Sequence, residues 1–328
     1  MEARIPTSYM KKNRISKVNP PAEPLVSVVV PMFNHERFIS NCLSSIKSCG
    51  YTNLEVLVID DGSKDQSFNR AKAWIEEHGD CFARTDLIRQ ENSGVVVTLN
   101  RLISLSTGDF IFPLASDDMV YPNAINSLMA YYLRNCAEPT LLLSDVELVD
   151  LDGNCLALSG AAYKGRDAKL LQQSRSFLTI DMMYDWGTPY QHQFYSRTLF
   201  DFCGGYDETI KYEDLYFALI CSAKYCVKYA PITTRRYRIR PGETRSPGLT
   251  EVDLAPGPVR RKAMPYFNPL YSLFLYVLNI RNERTPGLGR TFARVSARLI
   301  WRVTRLTCRC FHRRVISDSH RDPSEKHH

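Results

Sequence analysis

Asp109-Phe-Ile-Phe-Pro-Leu-Ala-Ser-Asp-Asp118 decides the fold: a short apolar run leads straight into two adjacent carboxylates, Asp117 and Asp118. A buried strand that ends in paired acids puts negative charge at the carboxyl edge of a sheet, where open α/β folds take their ligands. Neighbouring carboxylates repel each other, so they need either solvent or a cation between them. A hard divalent ion that also holds substrate phosphates meets that need. Read alone, the pair is better explained as a solvated turn. A second segment of the same design, Leu54-Glu-Val-Leu-Val-Ile-Asp-Asp-Gly-Ser-Lys-Asp65, shifts the balance towards a site.

The surrounding pattern alternates. Val26 to Val30 is a β-branched run suited to a strand buried on both faces, and it stops at Pro31-Met-Phe-Asn34. Phe38, Ile39, Cys42, Leu43 and Ile46 then recur at helical spacing. Leu54 to Ile59 reads as a strand, Ser67 to Glu77 as a helix and Asp86 to Arg89 as a short strand. A helix follows Gly94 and runs to Ser106, Phe110 to Leu114 is the next strand, and Pro122 opens a helix to about Asn135. Strands alternating with helices imply parallel pairing with helices on both faces. After Leu141 the pattern changes. Leu141 to Val149 reads as a strand, Asp152-Gly-Asn154 as a turn, and Asp167 to Ile180 as a helix with its loop. A composite segment from Trp186 to Glu208 leads to Glu213-Asp214 at the head of an apolar helix ending near Tyr225. No GxGxxG or P-loop occurs, so neither a dinucleotide fold nor an ATPase is supported.

The 328 residues allow about two domains, or one large α/β domain with an appendage. An apolar share of 44% with 23% charged residues is ordinary for a globular chain with a core. Ten cysteines form no ligand pattern: Cys221 and Cys226 are too far apart for a CxxC pair, and Cys308-Arg-Cys310 stands without partner ligands. Met1 to Pro24 is polar and basic with no apolar signal core, so it reads as a flexible leader. Unpaired thiols in such a chain point to a reducing, cytoplasmic setting and away from structural zinc. No apolar run approaches the roughly 20 residues of a membrane span. Leu270 to Ile280 comes nearest and contains Tyr and Asn.

Five segments, in this order, resemble glycosyltransferase family 2: Val26-Ser-Val-Val-Val-Pro-Met-Phe-Asn34, Val58-Ile-Asp-Asp-Gly-Ser-Lys-Asp65, Asn92-Ser-Gly94 with Asn100, Gly108 to Asp118, and Gly204 to Asp214. The resemblance implies nucleotide-sugar-dependent, inverting enzymes of the GT-A fold, an α/β architecture with a mostly parallel sheet flanked by helices. It divides the chain into a leader over 1–24, a transferase domain over 25–245 and a C-terminal extension over 246–328. Within the domain, 25–120 is expected to take the nucleotide-sugar and 121–245 the acceptor.

The resemblance also assigns roles. Pro31, Phe33 and Asn34 face a nucleobase, although a strand-ending turn with a buried Phe explains that side chain equally well. Asp61 accepts a base N–H, while Asp60 caps the following turn and helix. Asn92, Gly94 and Asn100 complete the donor-binding set. Asp118 binds Mg²⁺ or Mn²⁺ on the donor diphosphate, and Asp117 approaches the ribose. Many relatives carry a third acid two positions earlier, where this chain has Ala115 and Ser116. Asp214 matches the catalytic base, with Glu213 orienting the acceptor or its own loop; without the upstream motifs both acids would simply suit a helix N-terminus. Arg240 stands where similar enzymes often carry a histidine, and an arginine clamps a diphosphate instead of ligating a cation.

Beyond this domain Arg290, Arg294, Arg298, Arg302, Arg305, Arg309 and Arg313 recur every three or four residues, opposite Phe292, Val295, Leu299, Ile300, Val303 and Leu306. Such a basic amphipathic helix either rests on an anionic membrane surface or packs on the domain with a solvated face. Few interleaved aromatics and no recognisable module argue against nucleic acid. The sequence therefore leads to an inverting transferase that moves a sugar from a nucleotide diphosphate to a hydroxyl of a saccharide or lipid-linked glycan. Its expected setting is polysaccharide or glycoconjugate synthesis on the cytoplasmic face of a membrane. The rivals are a nucleotidyltransferase, which normally needs a Gly-rich basic loop that Pro31 to Arg37 does not supply, and a non-catalytic nucleotide-sugar-binding scaffold.

Overall fold

The computed structural model describes residues 23–136, 139–184, 186, 190–239 and 257–274. Nearly all of the expected leader, Arg240 and the basic stretch 290–313 lie outside these residues.

The first half alternates as its apolar runs require: β1 (Val26–Met32), α1 (Ile39–Lys47), β2 (Leu54–Asp60), α2 (Ser67–His78), β3 (Arg84–Arg89), α3 (Val95–Leu105) and β4 (Phe110–Pro113). β1 lies between β2 and β4 and is parallel to both, with Val26 opposite Leu54 on one side and Phe110 on the other. Successive strand residues point to opposite faces. Val28, Val30, Val56 and Val58 accordingly join Ile39, Leu43, Ile46 and Trp74 in one core, while Val29, Leu57 and Ile59 join Leu99, Leu102 and Ile103 in another. Both faces are covered, which is why these strands are mostly apolar instead of alternating.

The second half comprises β5 (Met119–Val120), α4 (Ala124–Asn135), β6 (Thr140–Val149), β7 (Cys155–Ala157), α5 (Gly160–Tyr163), α6 (Ala168–Gln173), α7 (Arg175–Tyr184), β8 (Gln193–Ser196), α8 (Arg197–Cys203), α9 (Glu213–Lys224), β9 (Cys226–Arg238) and α10 (Gly257–Ala263). The helix expected over 167–180 is two helices that break at Ser174, which is extended at ψ 102. Pro122 stands outside α4, because Asn123 takes a left-handed turn at φ 59 before the helix begins.

Strands follow the order β3-β2-β1-β4-β8-β6-β9-β5, with β7 on β6. β8 runs antiparallel to both β4 and β6, β9 is parallel to β6, and β5 is antiparallel to β9, so pairing in this half is mixed. β4 and β5 are separated by only residues 114–118 in the chain, yet three strands lie between them in the sheet. The sheet must therefore curl until β9 returns to β4, and Arg235 on β9 does donate from Nη1 to the Pro113 carbonyl at 2.9 Å. Asp117-Asp118 sits in that seam.

Candidate functional site

At the carboxyl ends of β1 and β2, where the sequence places a nucleobase, is a set of loops tied to one another. Asn34 adopts φ 54, a conformation asparagine tolerates better than most residues. Its N–H donates to Ser63 Oγ and its Oδ1 accepts from Lys64 N, both at 2.9 Å. Pro31 is half-buried, and Phe33 projects from this loop with 42% of its surface exposed. Asp60 holds the loop from below, with Oδ1 accepting from Ser63 N at 3.2 Å and Oδ2 3.2 Å from Arg89 Nε.

Asp61 is buried and gathers three donors: Gln90 Nε2 and Ser93 N on Oδ1 at 2.8 Å, and Gly94 N on Oδ2 at 2.9 Å. It thus pulls the Asn92-Ser-Gly94 turn against the strand edge. Gly62 makes room for that approach, since a Cβ there would lie 2.9 Å from Asn92 N. Asn100, expected beside the donor, instead spends its amide on the chain before α9. Nδ2 donates to Tyr206 O at 2.9 Å and Glu208 Oε1 at 3.0 Å, and Oδ1 accepts from Tyr206 N at 3.0 Å.

In the seam, Asp118 is 2% exposed and its Oδ1 accepts from Arg238 N at 3.0 Å. Burial first, and then the charge of Asp117, push its carboxyl up to about 8. Asp117 is partly exposed, and His35 Nε2 lies 3.8 Å from its Oδ2, while His35 Nδ1 meets Ser116 Oγ at 2.7 Å. Arg238 closes the seam. Its Nε donates to Asp117 O, Nη1 donates to Asp150 O and Leu151 O, and the guanidinium stacks 4.6 Å from the Phe38 ring.

Among the described residues no three His, Cys, Asp or Glu side chains converge as a cation cage. Adjacent carboxylates, of which buried Asp118 is raised in proton affinity, still fit a hard cation that takes its other ligands from phosphate and water.

Glu213 and Asp214 are the first residues of α9. Asp214 Oδ1 accepts from Leu215 N at 2.7 Å and Oδ2 from Trp186 Nε1 at 3.3 Å, while Gln193 Nε2 donates to the Asp214 carbonyl at 2.9 Å. Burial pushes Asp214 up to about 6, and burial with the charge of Asp214 pushes Glu213 up to about 8. Tyr237 links the two ends: after burial, the charges of Asp118, Asp117 and Asp214 all push its phenol up.

The sequence reading passed over Arg235, Arg238 and Gln193. The only signal was position, in the composite segment and in the Tyr237-Arg238 pair.

Residues 27–142 match the family described as glycosyl transferase family 2. The match covers about a third of this chain. Chondroitin synthase of Escherichia coli is 27% identical to this chain over 157 residues, which is 48% of this chain and 22% of that protein. The glycosyltransferase YibD of Escherichia coli K12 is 33% identical over 110 residues, 34% of this chain and 31% of that one. The matches therefore span less than a third of these relatives' own length.

Among solved structures, S. aureus TarS 1–349 in complex with UDP-GlcNAc aligns with TM-score 0.59 at 18% identity, over 78% of this chain and 72% of that one. The mannosyltransferase PcManGT from Pyrobaculum calidifontis, in complex with GDP-Man and Mn2+, aligns with TM-score 0.53 at 20% identity, over 93% and 85%. The family 2 segment and the strands beyond it thus form a GT-A fold.

Proposed function

We propose that the protein is an inverting glycosyltransferase that moves a sugar from a nucleoside diphosphate to a hydroxyl acceptor on a saccharide or lipid-linked glycan. The observation that carries this reading is that the buried Tyr237 phenol lies within reach of the charges of Asp118, Asp117 and Asp214, which brings the seam and the head of α9 together. Phe33, Asn34 and the turn held by Asp61 form the nucleoside end. Asp117 and Asp118 would hold Mg²⁺ or Mn²⁺, which offsets the charge that builds on the departing diphosphate.

Asp214 takes the acceptor proton. A carboxylate raised to about 6 is still ionised at neutral pH and is a stronger base than an exposed one. Trp186 Nε1 and Leu215 N each hold one of its oxygens, which fixes the direction of proton transfer. Glu213, pushed up to about 8, keeps a proton at neutral pH and spares Asp214 a second negative charge alongside. Arg240 and the basic face of 290–313 lie outside the described residues. We assign the first to the diphosphate and the second to an anionic membrane surface, which co-sedimentation with phosphatidylglycerol vesicles tests.

Asp214→Asn is expected to bind nucleotide-sugar as the parent does and to lose transfer by roughly 10²–10⁴-fold. Calorimetry and release of labelled nucleotide measure the two quantities separately. Undiminished transfer would remove Asp214 as the base, and a parent that binds no nucleotide-sugar would defeat the transferase reading.

A further inference from the structure

Arginine is almost never fully buried unless it is paired, yet Arg235 is 4% exposed and only part of its guanidinium is engaged. Nη1 donates to Pro113 O at 2.9 Å, and the plane lies 4.6 Å from the centre of the Phe112 ring. Nε and Nη2 are buried and have no hydrogen-bond partner among the described residues. These two nitrogens present their hydrogens on one edge of the guanidinium, the edge that grips a carboxylate or phosphate with two parallel bonds. The Pro113 bond and the Phe112 ring fix the opposite side, so the open edge is aimed and pre-organised.

Further unsatisfied atoms flank it. His192 Nε2 and Gln193 Oε1 are also buried without a partner among the described residues. Gln193 must turn its NH₂ to the Asp214 carbonyl, so its oxygen is left to accept from a hydroxyl. His192 packs against Tyr237, whose ring centre is 4.8 Å away, and burial followed by the Arg235 charge keeps its imidazole neutral. Arg235 stands opposite Val120 on β5, two residues from Asp118, and Gln193 is bound to Asp214. The unsatisfied groups therefore belong to residues linked to Asp118 at one end and to Asp214 at the other. Native interiors rarely leave buried polar atoms unmet, and these four describe a surface shaped for a ligand.

We propose that Arg235 is the floor of an oxyanion subsite in the donor pocket, where its Nε and Nη2 bind a carboxylate or phosphate of the substrate while Gln193 Oε1 accepts from a sugar hydroxyl. The placement of this subsite in a donor pocket rests on the transferase reading above; the affinity of the arginine edge for an oxyanion does not. A carboxylate would belong to the transferred sugar, a uronate, and a phosphate to the leaving diphosphate.

Calorimetry on the full chain and on Arg235→Met and Arg235→Lys, with UDP, UDP-glucose, UDP-glucuronate, inorganic pyrophosphate and free glucuronate, tests the proposal. Loss of an interfacial ion-pair partner predicts weakening of roughly 30-fold or more. A loss in Arg235→Met confined to UDP-glucuronate and glucuronate identifies the carboxylate source. An equal loss for UDP, UDP-glucose and pyrophosphate identifies the phosphate source. Arg235→Lys, which keeps the charge but not the two-donor edge, is expected to recover only part of the affinity in either case.

The ligand-free thermal midpoint gives an independent readout. A ligand-directed arginine predicts an unchanged or higher midpoint in Arg235→Lys, which keeps the charge that faces Asp118 and removes unmet buried donors, whereas a structural arginine predicts a fall. A parent that binds nucleotide-sugar and an Arg235→Met variant that matches it for every probe would overturn the subsite and leave the transferase reading standing. A parent that binds pyrophosphate through Arg235 but no nucleotide-sugar would do the reverse. A parent that binds none of the five probes would overturn both.

Discussion

Asp118 is where stability and function oppose each other most directly. Its folded carboxyl is raised to about 8 from an ordinary value of 3.8, so above that range the ionised side chain weighs against the fold. One pKa unit corresponds to about 1.4 kcal/mol, and partial relief of such a shift is worth a few kcal/mol. Asp118→Asn keeps an oxygen for the Arg238 N–H and discards the charge. It is therefore expected to raise the ligand-free thermal midpoint at pH 8 by several degrees, at about 2–4 °C per kcal/mol for a domain of this size, while abolishing transfer. Calorimetric scanning and an activity assay check the two halves. A lower midpoint with normal folding at pH 8 would mean that Arg235 and Arg238 already neutralise the carboxylate fully.

At the scale of elements, the loop before α9 decides where Asp214, the proposed base, stands, and Asn100 on α3 holds that loop by both the N–H and the carbonyl of Tyr206. Asn100→Ala leaves a buried backbone pair unmet, at about 1–3 kcal/mol. The expected outcome is a lower midpoint and lower kcat with donor Kd unchanged. A weakened donor Kd at normal kcat would return Asn100 to the role its motif suggested.

The same elements mark the boundary of what sequence alone could reveal. β1, β2 and β4 were legible because both of their faces are buried and their runs are mostly apolar, and the acids that follow them stood out for that reason. β9 was not legible. Its polar tail, Thr-Thr-Arg-Arg-Tyr-Arg238, resembles an exposed edge, and arginines are ordinarily solvated. Only the curl of the sheet buries Arg235 and Arg238 against residues more than 80 positions away, and register shifts against β6 between Ser144 and Glu147 set which of these side chains point inward. No local pattern encodes that.

Across the whole molecule, buried carboxylates of opposite tendency set the pH range in which the ligand-free fold is firmest. Burial alone would push Glu55 up, but bonds from Ser27 Oγ, Thr107 N, Gly108 N and Thr107 Oγ1 outweigh it and hold it below its ordinary 4.5. A depressed acid stabilises the fold above its unfolded value, and that stability is lost as pH falls through its folded value. Asp214, Glu213 and Asp118 act in the opposite sense. Raised to about 6, 8 and 8, they bind more protons folded than unfolded, so stability declines as pH climbs from their unfolded values near 4 through that range. The two effects place the maximum in the ligand-free thermal midpoint at about pH 4–5, where the depressed acid has ionised and the raised ones have only begun to weigh against the fold. Transfer needs the ionised base, so kcat/KM should instead rise through about pH 6 and remain high where the free fold is weaker. Donor with Mg²⁺ or Mn²⁺ should stabilise the protein more at pH 8 than at pH 5, because a ligand that prefers the ionised site binds where that site is ionised. Thermal midpoints measured from pH 4 to 9, with and without donor and metal, would trace both curves. A free-protein maximum at or above pH 8 would show that these three carboxyls are not raised in solution.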